Sequence, residues 1–169
     1  FQLGIIYDKM KKPEKGLEPM LKILSLEPDN ANALNFIGYS YADRGIRLDE
    51  AERMIRRALL QKPNNGYIMD SLGWVYYKKG QYQKAVDTLL AATRLTSDDP
   101  IILEHLGDAY IKLGNNGKAL ESYEKALRKE EIDPESAASI RKKIEKLRKE
   151  QSSTADKTSL LHSPPSVPR

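Results

Sequence analysis

Cysteine is absent from this chain, which excludes disulfide bonds and thiol chemistry without pointing to any compartment. Long apolar runs are also missing: no stretch approaches the ~20 residues that a membrane-spanning helix needs. No glycine-rich phosphate loop follows a strand, because no stretch has the pattern of a strand. These absences argue against membrane insertion by this chain and against nucleotide chemistry.

Histidine is scarce, and the two that occur do not form a metal site. His105 has two acidic neighbours, Glu104 and Asp108, within one predicted helical turn. Adjacent helical residues diverge by about 100°, so Glu104 and His105 point apart. No second cluster supplies further ligands. We therefore expect no metal, no cofactor and no catalytic site, and we do not expect an enzyme.

What the chain does contain is a fixed repeat. Four glycines lie 34, 35 and 34 residues apart, and a tyrosine follows each glycine by three residues. Two further columns, with small residues at every position except Ile23, recur at nearly the same interval. A period near 34 residues is typical of solenoids built from helix pairs. The members are Gly4, Gly38, Gly73 and Gly107; Tyr7, Tyr41, Tyr76 and Tyr110; Gly16, Ala51, Ala85 and Ala119; and Ile23, Ala58, Ala92 and Ala126.

One repeat carries an extra residue. The interval from glycine to small residue is 13 in the second repeat, from Gly38 to Ala51, and 12 in the others. We place the insertion within residues 45–50, where a turn between helices is predicted. Lengthening a turn costs little, whereas an insertion inside a helix would rotate every later side chain by about 100°. The columns resume afterwards, so we expect the turn to absorb it.

Each repeat has the apolar spacing of two amphipathic helices separated by a breaker such as Gly80. The glycine column falls in mid-helix, where glycine costs about 1 kcal/mol relative to alanine. Close approach of a partner helix would offset that cost. Pro28 and Pro63 predict helix ends, each followed by an Asp or Asn residue that can cap the next helix. Asp99 and Asp133 give the same cap signal later in the chain.

These columns resemble the tetratricopeptide repeat (TPR) family. The resemblance is clearest in Leu106-Gly107-x-x-Tyr110 followed by Gly114, Ala119, Tyr123 and Ala126. It covers residues 1 to about 133, and some stretches are similar to those of bacterial TPR proteins. It departs where the usual tryptophan is replaced by Leu34, Met69 and Leu103, and where Lys11 replaces a turn glycine. The resemblance implies an all-α, right-handed solenoid of antiparallel helix pairs.

This interpretation divides the chain into six segments. We expect a truncated first unit at 1–30, three units at 31–65, 66–99 and 100–133, a capping helix at 134–150 and a disordered tail at 151–169. The capping helix is predicted because its apolar residues, Ala137, Ile140, Ile144 and Leu147, share one stripe. The chain starts midway through a predicted helix, so we expect a longer array. The compartment is left open: bacterial cytoplasm or, with an upstream signal, cell envelope.

Charge is distributed unevenly along the chain. Basic and acidic residues balance over 1–133, and the net charge of +4 arises from residues 134–169. No basic stripe runs along the repeats, so we do not expect nucleic acid as a partner.

The resemblance also implies a concave groove, lined by the first helix of each repeat, that holds peptides or helices. Side chains offset from the glycine and tyrosine columns are the candidates for this groove. Asparagine can bond a peptide backbone, aromatic rings provide anchors, and the acidic residues would favour a basic segment. The candidates are Asn32, Asn35, Tyr39, Tyr67, Asp70, Trp74, Tyr77, Glu104, Asp108 and Lys112.

Two other interpretations stay open. Glu104, Asp108 and Lys112 have the spacing of a solvent-exposed ion-pair ladder, and Tyr39, Trp74 and Tyr77 could pack between repeats. The groove lacks the basic residues with which some repeats clamp carboxylates. We expect a non-catalytic module that binds a protein or peptide segment. The alternative is structural self-assembly through the ends of the array.

Overall fold

A computed structural model describes residues 13–130 and 132–161 of the protein. Over these residues the chain forms eight α-helices and no strand, which confirms the all-α prediction. The predicted first-repeat residues Gly4, Tyr7 and Lys11 lie outside the described residues. The helices are α1 (Pro13–Leu26), α2 (Ala31–Asp43), α3 (Leu48–Gln61), α4 (Gly66–Lys78), α5 (Tyr82–Leu95), α6 (Pro100–Lys112), α7 (Asn116–Leu127) and α8 (Pro134–Leu161).

The helices begin where the cap residues predict. At the N-termini of α2, α4 and α6, the side chains of Asn30, Asn65 and Asp99 accept backbone N–H hydrogen bonds at 3.0, 3.0 and 2.9 Å. Each satisfies a donor that the first helical turn leaves without an intrahelical partner. Pro28 and Pro63 follow the ends of α1 and α3 by two residues. The local sequence therefore determines these boundaries.

The extra residue of the second repeat lies in a turn, as predicted. Residues 44–47 connect α2 to α3, whereas three residues, 79–81 and 113–115, make the equivalent connections later in the chain. Arg47 in the longer turn has a φ of 49°, a left-handed conformation that a non-glycine residue adopts at some cost. The helices on either side keep their packing, because the insertion stays outside them.

Close packing within each helix pair explains the glycine column. A Cβ atom added to Gly38 would lie 2.6 Å from Ile55 Cγ1, and one added to Gly73 would lie 2.7 Å from Leu89 Cγ. At Gly107 it would meet the ring of Tyr123, 2.6 Å from Cδ1. Normal carbon contacts lie at about 3.5–4.0 Å, so only glycine permits this approach.

Replacing Gly107 by alanine is expected to lower the free energy of unfolding by about 1–3 kcal/mol, the usual cost of overpacking a core. The opposing gain in helix propensity is only about 1 kcal/mol. Tyr123 cannot move aside easily, because it is buried and its hydroxyl donates to Asp108 Oδ1 at 2.6 Å. Urea denaturation of the wild type and the variant measures the difference.

Gly117→Ala is the matched control for that substitution. Gly117 lies in α7, and an added Cβ there would meet nothing within 4 Å. This variant should be as stable as the wild type or slightly more stable, because only the propensity gain applies. Equal stability of the two variants would refute the close-packing explanation.

The small and tyrosine columns form the core between the helices. The alanines of the two small columns in repeats two to four are fully buried, and the three tyrosines beside them are buried as well. Small side chains on the second helix of each pair thus complement the glycine on the first. These residues are Ala51, Ala58, Ala85, Ala92, Ala119 and Ala126, with Tyr41, Tyr76 and Tyr110.

The C-terminal helix covers the last pair. Asp133 caps α8 by accepting from the backbone N–H groups of Glu135 and Ser136 at 3.0 and 2.9 Å. The apolar stripe predicted for this helix is buried along its length: Ala137, Ile140, Ile144 and Leu147.

The predicted end of this helix differs from the observed one. We placed the start of a disordered tail at residue 151, whereas α8 continues to Leu161. Residues 151–161 include several Ser and Thr residues, which are weaker helix formers than alanine, but no proline or glycine. A breaker first appears at Pro164, so nothing in the local chemistry ends the helix at 150. The rest of the predicted tail, 162–169, lies outside the described residues.

Arg141 distinguishes α8 from the first helices of the preceding repeats. It lies 34 residues after Gly107, in the glycine column, and is exposed. A partner helix could not approach α8 as closely as α7 approaches α6, because a side chain now stands between them. The apolar stripe faces the preceding repeat while charged residues face outward. This arrangement is what a terminal cap of a solenoid needs.

Candidate functional site: a cleft between α2, α4 and α6

The first helices of successive repeats enclose a cleft of 360 Å³. Its walls come from α2, α4 and α6, with the N-cap residue of α6 at the rim, and most of the surface that it exposes is apolar. We refer to it as the central cleft. Its lining residues are Asn35, Phe36, Tyr39, Ser40, Tyr67, Asp70, Ser71, Asp99, Ile101, Ile102 and His105.

A buried pair of side chains lies among these lining residues. His105 Nδ1 and Asp70 Oδ1 are 2.8 Å apart, and both residues are buried. Burial by itself would lower the pKa of His105, but the charge of Asp70 and the hydrogen bond to it outweigh burial and raise that pKa above 6.5. Asp108 and Glu104 act in the same direction. The protein thus stabilises the protonated imidazole inside the cleft wall.

Trp74 is part of the packing between repeats rather than an exposed anchor. Its ring lies between those of Tyr77 and His105, with centroids 4.6 and 4.3 Å away and planes within 3° and 19° of parallel. Its Nε1 donates to Asp43 Oδ1 at 3.3 Å, and the residue is only 9% exposed. The prediction that Trp74 is an exposed ligand contact is therefore wrong, because the ring is buried against Tyr77 of its own helix and His105 of α6. Packing between repeats, the alternative left open above, is correct for this residue.

Exposed apolar surface at the cleft comes from two other residues. Tyr67 in α4 is 60% exposed and Ile101 in α6 is 49% exposed. The Tyr67 hydroxyl donates to Asp99 Oδ2 at 3.4 Å, which bridges α4 to the cap of α6. Phe36 and Tyr39 on α2 are partly buried against the core. These side chains give the cleft a rim suited to apolar contacts.

Two buried polar atoms on α2 have no hydrogen-bond partner within the described part of the protein: Asn35 Oδ1 and Ser40 Oγ. Ser40 is 5% exposed. A buried polar atom without a partner typically costs about 1–3 kcal/mol, so most native structures avoid it. Asn32, another predicted groove residue, is instead engaged: its Oδ1 accepts from Lys62 Nζ at 2.9 Å.

The acidic residues of α6 are held by the C-terminal helix. Lys143 Nζ lies 2.7 Å from both Glu104 Oε1 and Asp108 Oδ2. Ser139 Oγ donates to Glu104 Oε1 at 3.2 Å. Asp108 therefore pairs with α8 and not with the exposed Lys112, so neither the ladder nor the open-groove interpretation describes it.

These contacts remove the reason for predicting a partner with a basic segment. Asp70 is paired with His105, and Glu104 and Asp108 are paired with Lys143. Since these carboxylates already have partners, they offer little unbalanced charge to a cationic segment.

Sequence reasoning missed several residues of the site. Ser40, Asp99 and Ile102 line the cleft, and nothing in a single sequence separates a cleft serine from an ordinary packed one. Lys143 could have been found, because it lies 35 residues after Asp108, the same interval that separates Asp70 from His105. Contacts between successive first helices follow that interval.

The part of the chain that the structure describes contains no cluster of three or more His, Asp or Glu side chains arranged to hold a metal ion. None of its helices is both long enough and apolar enough to cross a membrane.

Known protein families match the second half of the chain. The family described as "TPR repeat" matches residues 73–114, and the family described as "Tetratricopeptide repeat" matches residues 100–132. The TPR repeat-containing protein PA4667 of Pseudomonas aeruginosa is 35% identical over 105 residues. Residues 73–132 of the chain thus have the sequence of tetratricopeptide repeats. The repeats, together with the similar solved structures, support a protein–protein interaction module.

Solved structures agree on the TPR fold. PilF of Pseudomonas aeruginosa is 25% identical, with a TM-score of 0.68 over 88% of this chain and 67% of that one. A structure of MamA (AMB-1) is 24% identical, with a TM-score of 0.57 over 73% of each chain. Another structure of MamA is 20% identical, with a TM-score of 0.62 over 92% of this chain and 96% of that one. The match with PA4667 covers 59% of this chain but only 18% of the length of PA4667.

Proposed function

We propose that the central cleft binds an extended segment of a partner protein. One observation supports this best: the same cleft combines exposed apolar side chains, Tyr67 and Ile101, with two buried polar atoms that lack protein partners, Asn35 Oδ1 and Ser40 Oγ. An extended peptide could supply apolar side chains to contact Tyr67 and Ile101, and backbone groups to form hydrogen bonds with the two polar atoms.

The two polar atoms differ in position along α2 and around it. Asn35 and Ser40 are five residues apart, which corresponds to a rise of about 7.5 Å and a divergence of about 140° around the helix axis. Both residues nevertheless line the central cleft. A segment that fills the cleft could therefore offer a different polar group to each side chain. Tyr67 and Ile101 would cover its side chains from the opposite wall.

Trp74 has no direct role in this proposal. It positions the cleft by packing between α4 and α6, while Tyr67 replaces it as the aromatic contact. Nor do we propose a basic segment, since the acidic side chains near the cleft are already paired.

Ser40→Ala is the most direct test, because its two expected effects have opposite signs. Removing a buried hydroxyl that lacks a partner should leave stability unchanged or raise it by about 1 kcal/mol. The same change should weaken peptide binding about 5- to 10-fold, since the ligand loses a hydrogen bond. The probe is a set of 12-residue peptides selected from a random display library on the wild-type protein. Fluorescence anisotropy gives the affinities.

Tyr67→Ala should weaken the same peptides by about 10-fold or more, since aromatic anchors contribute strongly to protein interfaces. Leu60→Ala is the matched control: Leu60 is 80% exposed and lies on α3, away from the cleft. Selected peptides that bind all three variants as well as the wild type would place the binding surface elsewhere and refute the proposal.

A further inference from the structure

The central cleft contains a group whose charge can change near neutral pH. His105 lines the cleft, its ring is stacked on Trp74, and its Nδ1 is bound to Asp70. When the imidazole is protonated, this pair is neutral overall. When the imidazole loses its proton, the Asp70 charge stays in the cleft wall without a compensating cation.

The charged groups around His105 come from several helices. Asp70 faces it from α4, and Glu104 and Asp108 lie on its own helix, where they act on it electrostatically. Lys143 of α8 pairs with those two acids. From α2, Asp43 contacts the far side of this cluster through Trp74 Nε1.

Two of the neighbouring groups keep their protonation state across the neutral range. Burial raises the pKa of Tyr77 above its ordinary value of 10.0. The pKa of Lys143 is raised above 10.5: burial opposes this, but Asp108 and Glu104 outweigh it. Histidine is the side chain whose ordinary pKa lies closest to neutrality. A change in the charge of the cleft between about pH 6 and pH 9 therefore reports on His105.

We infer that the protonation state of His105 sets the charge of the segment that the central cleft selects. This inference rests on the proposed function. With the His105–Asp70 pair neutral, covering the cleft with an uncharged segment buries no net charge. With His105 neutral and Asp70 ionised, the same segment would bury an uncompensated carboxylate, which is costly. A segment that carries a lysine would then gain, because its cation can compensate Asp70.

The test compares two peptides at two pH values. One is an uncharged 12-residue peptide selected by display at pH 6, and the other is the same peptide with one lysine at a position that faces the cleft. Dissociation constants are measured by isothermal titration calorimetry at pH 6 and pH 9, where lysine stays charged. Preference for the lysine peptide over the uncharged one should rise about 3- to 10-fold from pH 6 to pH 9.

Two variants isolate the group responsible. The double variant Asp70→Asn with His105→Gln keeps two polar side chains but removes the charge change, so its preference should not depend on pH. His162→Gln is the control, because it removes the other histidine of the chain and should behave as the wild type. NMR titration of the His162→Gln protein, in which His105 is the remaining histidine, gives a readout that does not need the double variant to fold. The imidazole signal of the free protein should titrate above pH 6.5. When the uncharged peptide is bound, the titration should move to higher pH, because that peptide favours the protonated imidazole.

The outcomes separate the two proposals. If peptide binding depends on Tyr67 and Ser40 but the preference is the same at both pH values, the inference about His105 is refuted and the binding site stands. A preference that changes equally in the double variant, or a His105 signal that does not titrate between pH 5 and pH 10, refutes it as well. If no selected peptide depends on Tyr67 or Ser40, both the proposed function and this inference fall.

Discussion

Replacing Trp74 by alanine is expected to lower the free energy of unfolding by about 3–5 kcal/mol, the usual loss when a buried aromatic side chain is removed from a core. Its ring stacks on the rings of Tyr77 and His105, and its Nε1 donates a hydrogen bond to Asp43. The substitution therefore removes contacts to three neighbours in three different repeats. In a solenoid, stability depends on the interfaces between adjacent units, so the loss should affect the whole array.

Urea denaturation followed by circular dichroism measures this effect. Tyr67→Ala is the matched control, because Tyr67 is an aromatic residue on the same helix but is 60% exposed. It should change stability by no more than about 1 kcal/mol, as is usual for exposed positions. If Trp74→Ala kept wild-type stability while abolishing peptide binding, the tryptophan would be a ligand contact after all.

Removing the charge of Lys143 should have the second largest effect on stability. Its Nζ lies 2.7 Å from a carboxylate oxygen of both Glu104 and Asp108, and both carboxylates are largely buried. Lys143→Met keeps much of the side-chain volume but leaves two acids close together without a cation. We expect a loss of about 2–3 kcal/mol, somewhat below that of fully buried pairs, because the lysine is partly exposed.

The loss should begin at the C-terminal cap. Amide hydrogen exchange in α8 should speed up in Lys143→Met more than exchange in α4, since the lysine joins α8 to α6. Lys146→Met is the control: its Nζ lies 3.9 Å from Glu150 on an exposed surface and its removal should cost little. Equal stabilities of the two variants would show that the Lys143 pairs contribute nothing. Adding Asp108→Asn to Lys143→Met should recover part of the loss, because it removes one uncompensated charge.

The repeat could be predicted from the chain because its causes are local and recur. Gly107 is required by the Tyr123 ring that lies against it, and the same requirement operates at Gly38 and Gly73. Recurrence at 34 or 35 residues makes such a requirement visible without coordinates. Cap residues such as Asn65 act on N–H groups within three positions of themselves, so they too can be recognised in sequence.

The candidate site was predicted only in part. Asn35, Tyr39, Tyr67 and Asp70 were placed on the concave face by helical spacing, and all four line the central cleft. Spacing gives the direction of a side chain around its helix, but not whether another helix covers it. Trp74 has the direction expected of a groove residue, and yet it packs between repeats.

The amino-acid sequence alone was sufficient to establish the helix pairs, their period, the turn that holds the extra residue and the apolar stripe of the capping helix. All of these depend on neighbours within one repeat or on a pattern repeated at a constant interval. Which side chains become buried between successive repeats could be learned only from the folded chain. The burial of Trp74 and the lack of a partner for Ser40 Oγ depend on the distance between helices and on which of several similar side chains fills the space.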